Sequence, residues 1–305
     1  MKYIIPLLIA AIPVIVLIHI GQKCLNTVIL PKRCSFSELR DFEIGKGFKD
    51  AFDKYDKVWN REDFSLDVNG VTIKGEIIKN DHPVGNKVAI IAHGHTANRY
   101  ASLKYADLFY RVGYHAVIFD ERHFGDSTGD ICTLGQEEAK DLRDIFAFTK
   151  EKFGDDCIIG IHGESMGAAT SLLVLQYVKP DFVIADCPFA DSVVLFKEFV
   201  RKDMGVFSSL VVWTVCQIAK VRYHYDVKGT SPIRIVKNAD VPICFMHGNA
   251  DTLIDCHHSK DMFAVCKNKN SELHLFDGAA HARSIVSDPK GYEKTLNDFL
   301  KKCNA

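Results

Sequence analysis

From Phe64 onward the chain alternates short, continuously apolar runs with longer stretches of helical period. Val88-Ala89-Ile90-Ile91-Ala92 offers no polar position, the pattern of a strand buried on both faces. His115–Phe119, Cys157–Ile161, Phe182–Ala185, Val241–Met246 and Leu273–Phe276 read as further strands. Helical periods separate them at Leu103–Val112, Glu137–Phe153, 166 to about 178, near 257–267 and at 289–302. Phe64 to Ile78 instead alternates apolar and polar residues around Asn69-Gly70, a hairpin signal. Strands alternating with helices predict an α/β fold with a mostly parallel sheet covered on both faces.

Two segments break this rhythm. Tyr3 to Ile20 is a run of 18 residues without a formal charge, interrupted by Pro6, Pro13 and His19. At 1.5 Å per residue it spans roughly 27 Å, close to the thickness of a bilayer core. The run ends in His19-Ile20-Gly21-Gln22-Lys23-Cys24, a poor cleavage site for a signal peptide. Lys23 also stands where a lipoprotein signal needs a small residue before its cysteine. The expectation is an uncleaved single-pass anchor within residues 1–23 and a connecting segment at 24–62. The second break is residues 190–236, rich in Phe, Val, Trp and Tyr and without a strand of their own. An excursion of this length between two sheet strands predicts a helical cap over an apolar substrate pocket, inserted after the sixth strand of a domain spanning 63–305. Ordinary surface helices are the plainer alternative.

Composition narrows the function classes. The 305 residues are 47% hydrophobic and 25% charged, with a formal net charge of −1. That is globular material without the basic field that nucleic acid binding requires. Ten cysteines are scattered with no C-x-x-C pair, which suits free thiols in a reducing compartment better than a disulfide framework. Lys23, Lys32, Arg33 and Arg40 follow the apolar run and only Lys2 precedes it. The positive-inside rule then places the large domain on the cytoplasmic side of the cell membrane.

The chemistry enters at Gly163-Glu164-Ser165-Met166-Gly167. This G-x-S-x-G lies between an apolar strand and a helix start, the nucleophile elbow of α/β-hydrolases. The sharp turn exposes the serine hydroxyl, and glycines stand where larger side chains would clash. Roughly one chain of this length in ten would carry the pattern by chance, so the serine needs partners. A base and an orienting acid should follow in the order Ser…Asp…His, on loops after later strands. Asp251 lies in His247-Gly248-Asn249-Ala250-Asp251 and His281 in Asp277-Gly278-Ala279-Ala280-His281, each just past a strand. Asp186, directly after its strand, is the rival acid. His93-Gly94-His95-Thr96 follows the third core strand, so the backbone N–H groups of His95 and Met166 are the expected oxyanion donors. His93, His95, Cys256, His257 and His258 lack the ligand spacing of a zinc site. No metal and no cofactor are expected.

These blocks, with Asp120-Glu121-Arg122-His123-Phe124-Gly125-Asp126-Ser127, resemble the successive signatures of α/β-hydrolases. The strings at 161–168 and 184–190 are similar to those of bacterial membrane-anchored serine aminopeptidase-like or prolyl-oligopeptidase-like hydrolases. The resemblance covers about residues 60–302. It implies the α/β-hydrolase fold, with an eight-stranded, mostly parallel sheet flanked by helices. One departure stands out: His123 replaces the first glycine of the usual D-x-R-G-x-G-x-S. The expectation is a serine hydrolase acting on an ester or thioester with an apolar, lipid-like acyl group through an acyl-enzyme. A serine aminopeptidase is one alternative, with Asp203 or Asp226 as candidate anchors for a substrate amine. A non-catalytic binding module is another, opposed by the completeness of the constellation.

Overall fold

The computed structural model describes the backbone from Ile4 to Ala305 and the side chains from Ile12 onward. Lys2 and Tyr3, part of the expected anchor and its flank, lie outside the described residues. The first helix, α1 (Ile4–Ile29), runs past the predicted end of the anchor. Residues of the expected connecting segment then fold into α2 (Phe36–Glu43), opened by a Ser35–Glu38 capping box, and α3 (Lys49–Lys57). Ala51, Phe52 and Tyr55 of α3 are buried against the sheet, so this stretch is part of the globular body.

Eight strands follow: β1 (Asn60–Val68), β2 (Val71–Lys79), β3 (Lys87–Ala92), β4 (His115–Phe119), β5 (Ile158–Glu164), β6 (Phe182–Asp186), β7 (Ile243–Gly248) and β8 (Glu272–Phe276). Their order in the sheet is β1-β2-β4-β3-β5-β6-β7-β8. β1 and β2 form the hairpin at Asn69-Gly70 and β2 pairs antiparallel with β4; the remaining pairs are parallel. Between strands lie α4 (Leu103–Arg111), α5 (Glu138–Phe153) and α6 (Met166–Leu173). The β6–β7 connection carries α7 (Ser192–Met204), α8 (Ser208–Tyr223) and the short α9 (Pro232–Val236). Then come α10 (His257–Val265), α11 (Ser284–Ser287) and α12 (Pro289–Lys302).

Alternate residues of the central strands face opposite ways and build two cores. Ala89, Ile91, Ile184 and Met246 join α4 and α12 on one face, while Val88, Ile90, Val183 and Phe245 join α5 and α6 on the other. A third cluster lies above the carboxyl ends of the strands, where Leu25 and Ile29 of α1 pack with Leu195, Phe196, Val211 and Val215. The lower half of α1 is thus built into the domain, against α7 and α8.

His123, the departure from the glycine signature, has φ 72°, the left-handed region that glycine enters without cost. Its Nε2 stands 3.4 Å from the Pro31 carbonyl oxygen, just beyond α1. The strain of about 1 kcal/mol is offset by a link between the β4 loop and the end of the first helix.

Candidate active site

Ser165 sits between β5 and α6 with φ 57° and ψ −113°, a strained conformation for a residue with a side chain. The flanking glycines have steric reasons. A Cβ on Gly163 would come within 2.2 Å of the Gly167 carbonyl oxygen, and one on Gly167 within 2.2 Å of the Ala92 oxygen. The tight turn lifts the serine above the sheet, where loops from β7 and β8 converge. Ser165 Oγ stands 2.9 Å from His281 Nε2, and His281 Nδ1 stands 2.6 Å from Asp251 Oδ2. The geometry suits a hydroxyl donating to Nε2 while Nδ1–H donates to the carboxylate.

Asp251 is fully engaged. Its Oδ1 accepts from the backbone N–H groups of Leu253 and Ile254, both at 2.9 Å. His247 Nε2 lies 3.3 Å from Oδ2, while its Nδ1 meets Ser259 Oγ at 2.7 Å. Burial opposes the charge, but the bonds from His247 and His281 outweigh it and hold the carboxyl below its ordinary range. Asp186 is no partner of His281. It is buried under Tyr105 and Ser284, and burial with the nearby Glu164 charge raises it to about 6.

The His93-Gly94-His95-Thr96 loop faces the serine. Met166 opens α6, so its N–H belongs to the free donors of a helix start. Among the described residues the His95 N–H donates no hydrogen bond. The ring of His95 has a role that the sequence did not announce: its Nε2 lies 2.7 Å from the Val28 carbonyl oxygen, at the end of α1. Burial lowers His95 below the usual histidine range, so the neutral ring donates Nε2–H to that carbonyl. The first helix thereby holds the loop beside Ser165.

Glu164 also escaped the sequence reading. It is buried beneath the elbow, 2.9 Å from Lys104 Nζ and 2.6 Å from Tyr105 Oη. Burial would raise this acid, yet Lys104 outweighs burial and holds it at about 2. Lys104 reaches Glu43 of α2 as well, at 3.4 Å. A lysine on an amphipathic helix reads as an exposed residue; here a buried carboxylate pair pulls it inward.

Two cavities meet at Ser165. One, of about 400 Å³, is apolar, with Leu134, Met166, Phe189, Phe196, Phe199 and Ile254 in its wall. Thr27 and Val28 of α1 complete it. The other, of about 610 Å³, has a mixed wall: Leu39 and Phe42 stand with Lys32, Glu43 and Lys46 from the segment after α1, facing Gly94, Glu164, His281 and Arg283. Asp203 and Asp226 border neither cavity, so the two proposed amine anchors do not face the serine. Glu43 and Glu164 are tied to lysines, and Glu38 caps α2.

Among the described residues, three groups could offer a metal ion three ligands. The first, Cys187, Asp251 and His281, shares two members with the serine relay. In the second, Glu198 bridges His257 and His258 at 2.9 and 3.0 Å. The Ala190 N–H donates to His258 Nδ1, which leaves Nε2 protonated and donating to Glu198. That bonding ties α7 to α10. In the third, His274 is bonded to Glu272.

Comparison with known proteins agrees with this architecture. The family model of the prolyl oligopeptidase family matches residues 131–305. The uncharacterized protein YqkD of Bacillus subtilis (strain 168) is 30% identical over 294 residues, 94% of each chain. Lysophosphatidylserine lipase ABHD12 of Xenopus tropicalis is 23% identical, covering 62% of this chain and 48% of that protein. The Pyrococcus furiosus esterase Pf2001 superposes with a TM-score of 0.65 at 26% identity, over 82% of this chain and 95% of that one. The chain belongs to the prolyl oligopeptidase family, as an α/β-hydrolase of the serine-hydrolase type.

Proposed function

We propose that this protein hydrolyses carboxylic esters or thioesters with an apolar acyl group, through an acyl-enzyme on Ser165. The observation that carries the proposal is the Ser165–His281–Asp251 relay opening directly onto an apolar cavity of about 400 Å³. In this reading His281 Nε2 takes the Ser165 proton as Oγ attacks the acyl carbon. The carbonyl electrons move onto the oxygen, which the His95 and Met166 N–H groups stabilise. Collapse expels the alkoxide or thiolate, protonated by His281. Water then attacks the acyl-enzyme with His281 again as base, releasing the acid and restoring Ser165. Asp251 holds the imidazole tautomer and offsets its transient charge.

Helices α7 and α8 serve as the cap, with Phe196 and Phe199 facing the acyl chain. The cavity on the other side of Ser165, with charged groups in its mixed wall, has room for the leaving group. The lipase name of the frog relative agrees with an acyl ester. The peptidase reading draws on the family name, but the carboxylates beside Ser165 are already committed to lysines or to capping, which leaves a substrate amine without an anchor.

A fluorophosphonate probe tests the proposal, with Ser165→Ala as control, followed by ester and aminoacyl-arylamide panels. The expected result is Ser165-dependent labelling and ester turnover well above arylamide turnover. Folded protein that the probe leaves unlabelled would remove the enzymatic reading, and arylamide preference would favour the peptidase.

A further inference from the structure

The apolar cavity continues past the residues that enclose Ser165. Thr27, Val28, Phe196 and Phe199 line both it and a neighbouring cavity of about 180 Å³, whose far end is bordered by Cys24, Val200 and Met204, with the exposed carboxylate of Asp203 at its rim. A groove therefore runs between α1 and α7 from the serine toward the turn that joins α7 to α8. That turn is strongly apolar and outward-facing: Val206 is 91% exposed and Phe207 66%, with Leu210 and Trp213 exposed just beyond.

The placement of the turn matters. α8 passes α1 in the same chain sense, since Thr214 meets Gly21 while Tyr223 reaches Asn26. The start of α8 and the turn before it thus lie on the side where α1 continues back through residues 18 to 12. There Ile12, Val14, Ile15, Val16 and Ile18 are exposed too. Single exposed apolar residues are ordinary, but a patch continuous with a helix long and apolar enough to cross a bilayer is not. Arg201 and Lys202, in the last turn of α7, and Lys23 of α1 flank the patch as cations flank lipid-embedded surfaces.

We propose that the α7–α8 turn inserts into the bilayer beside α1, and that the groove opens there to lipid. The substrate's acyl chain then reaches Ser165 from the membrane without crossing water. This rests on the acyl-ester reading of Ser165 and on α1 as a membrane helix.

The chain's two tryptophans supply the test, because Trp59 is only 5% exposed while Trp213 stands at the patch. Full-length protein is reconstituted into phosphatidylcholine liposomes whose acyl chains carry bromine. Quenching is expected in the wild type and absent in Trp213→Phe, where Trp59 remains. In a second arm Val206→Asp with Phe207→Asp is expected to lower turnover of a liposome-borne long-chain p-nitrophenyl ester by about tenfold or more. Turnover of soluble p-nitrophenyl butyrate stays unchanged and reports an intact fold. Wild-type quenching no greater than that of Trp213→Phe would overturn insertion, as would protein that fails to float with the liposomes. Undiminished long-chain turnover by the double variant would overturn the lipid route. Wild-type protein that cleaves neither ester would overturn the route and the acyl-ester reading together, while the quenching arm still decides insertion.

Discussion

Replacing Asp251 by asparagine keeps the shape of the side chain and changes one atom's hydrogen-bonding sense. The surroundings dictate which atom. Oδ1 accepts two backbone N–H groups at 2.9 Å, from Leu253 and Ile254, so the amide oxygen must stay there. The new NH₂ then takes the Oδ2 position, facing His281 Nδ1 at 2.6 Å and His247 Nε2 at 3.3 Å. Both histidine nitrogens carry protons in the parent arrangement, so donor would meet donor. His281 escapes by moving its proton to Nε2, where it faces Ser165 Oγ and can no longer accept the serine proton. The cost expected for a triad locked in the wrong tautomer is about 10⁴ in kcat, or ~5.5 kcal/mol of barrier, with little change in KM. The assay is p-nitrophenyl butyrate hydrolysis at pH 7 by wild type and Asp251→Asn, with circular dichroism and melting to show an unchanged fold. A folded variant that keeps a tenth or more of wild-type kcat would refute both the orienting role of Asp251 and the amide orientation argued here.

The apolar cavity predicts a chain-length dependence: each methylene buried contributes about 0.8 kcal/mol, so kcat/KM should rise roughly fourfold per carbon from acetyl until the cavity is filled, and a flat p-nitrophenyl ester series would contradict it. Glu121 is fully buried, and among the described residues neither oxygen has a hydrogen bond of normal geometry; burial, then Glu138 and Asp141, raise it well above the carboxylate range against the opposing pull of the Thr170 hydroxyl. Folding then requires it to hold a proton that the unfolded chain releases above about pH 4.5, so this group lowers stability as pH rises through and beyond that value. Glu121→Met should therefore melt higher than wild type at pH 8, with the advantage shrinking at pH 4, and a pH-independent difference would argue against a protonated Glu121. Lys104→Met strands Glu164 in the interior, while Glu43 keeps Lys46 at 3.1 Å; the change should cost about 3–5 kcal/mol, read as a lower midpoint in urea. Deleting residues 1–30 removes the Val28 carbonyl that holds His95 and the fully buried Leu25 and Ile29; at about 2–5 kcal/mol for each large side chain lost, the truncated chain should aggregate and fail to cleave even short soluble esters.

The central strands were legible because they are runs of apolar residues between turn signals, a pattern that burial on both faces imposes on a parallel sheet, and the β1–β2 hairpin because its residues alternate around Asn69-Gly70. His115–Phe119 and Pro289–Lys302 coincide with their observed elements, while β5 and β7 extend further toward the site than their apolar runs do. The reason is local: His162 and Gly163 in β5, and His247 and Gly248 in β7, break the apolar pattern while keeping the ladder. Chain order and loop placement located Ser165, Asp251 and His281, because a parallel sheet collects such loops at one edge. No comparable rule marks Lys104, Glu164 or Glu43. Their association joins a helix, the elbow and a segment taken as a connector, and charged residues in such places ordinarily face water.

Only part of what helix α1 does could be read from its residues. Up to Ile20 the run carries no formal charge, and hydropathy alone picks it out. From Gly21 onward each face meets a different neighbour. Gly21 lets Thr214 of α8 approach, with 2.9 Å left for an added Cβ. Gln22 and Asn26, four residues apart, bond Tyr223, while Leu25 and Ile29, also four apart, fill the third core cluster. Thr27 and Val28 turn toward the cavity at Ser165. A segment used on every side has no single polar stripe, so its periodicity cannot distinguish a spacer from a wall of the site. That distinction came from distances, above all the 2.7 Å between Val28 and His95. It ties α1 to the loop proposed to stabilise the oxyanion, so a change in how α1 is seated should register at Ser165.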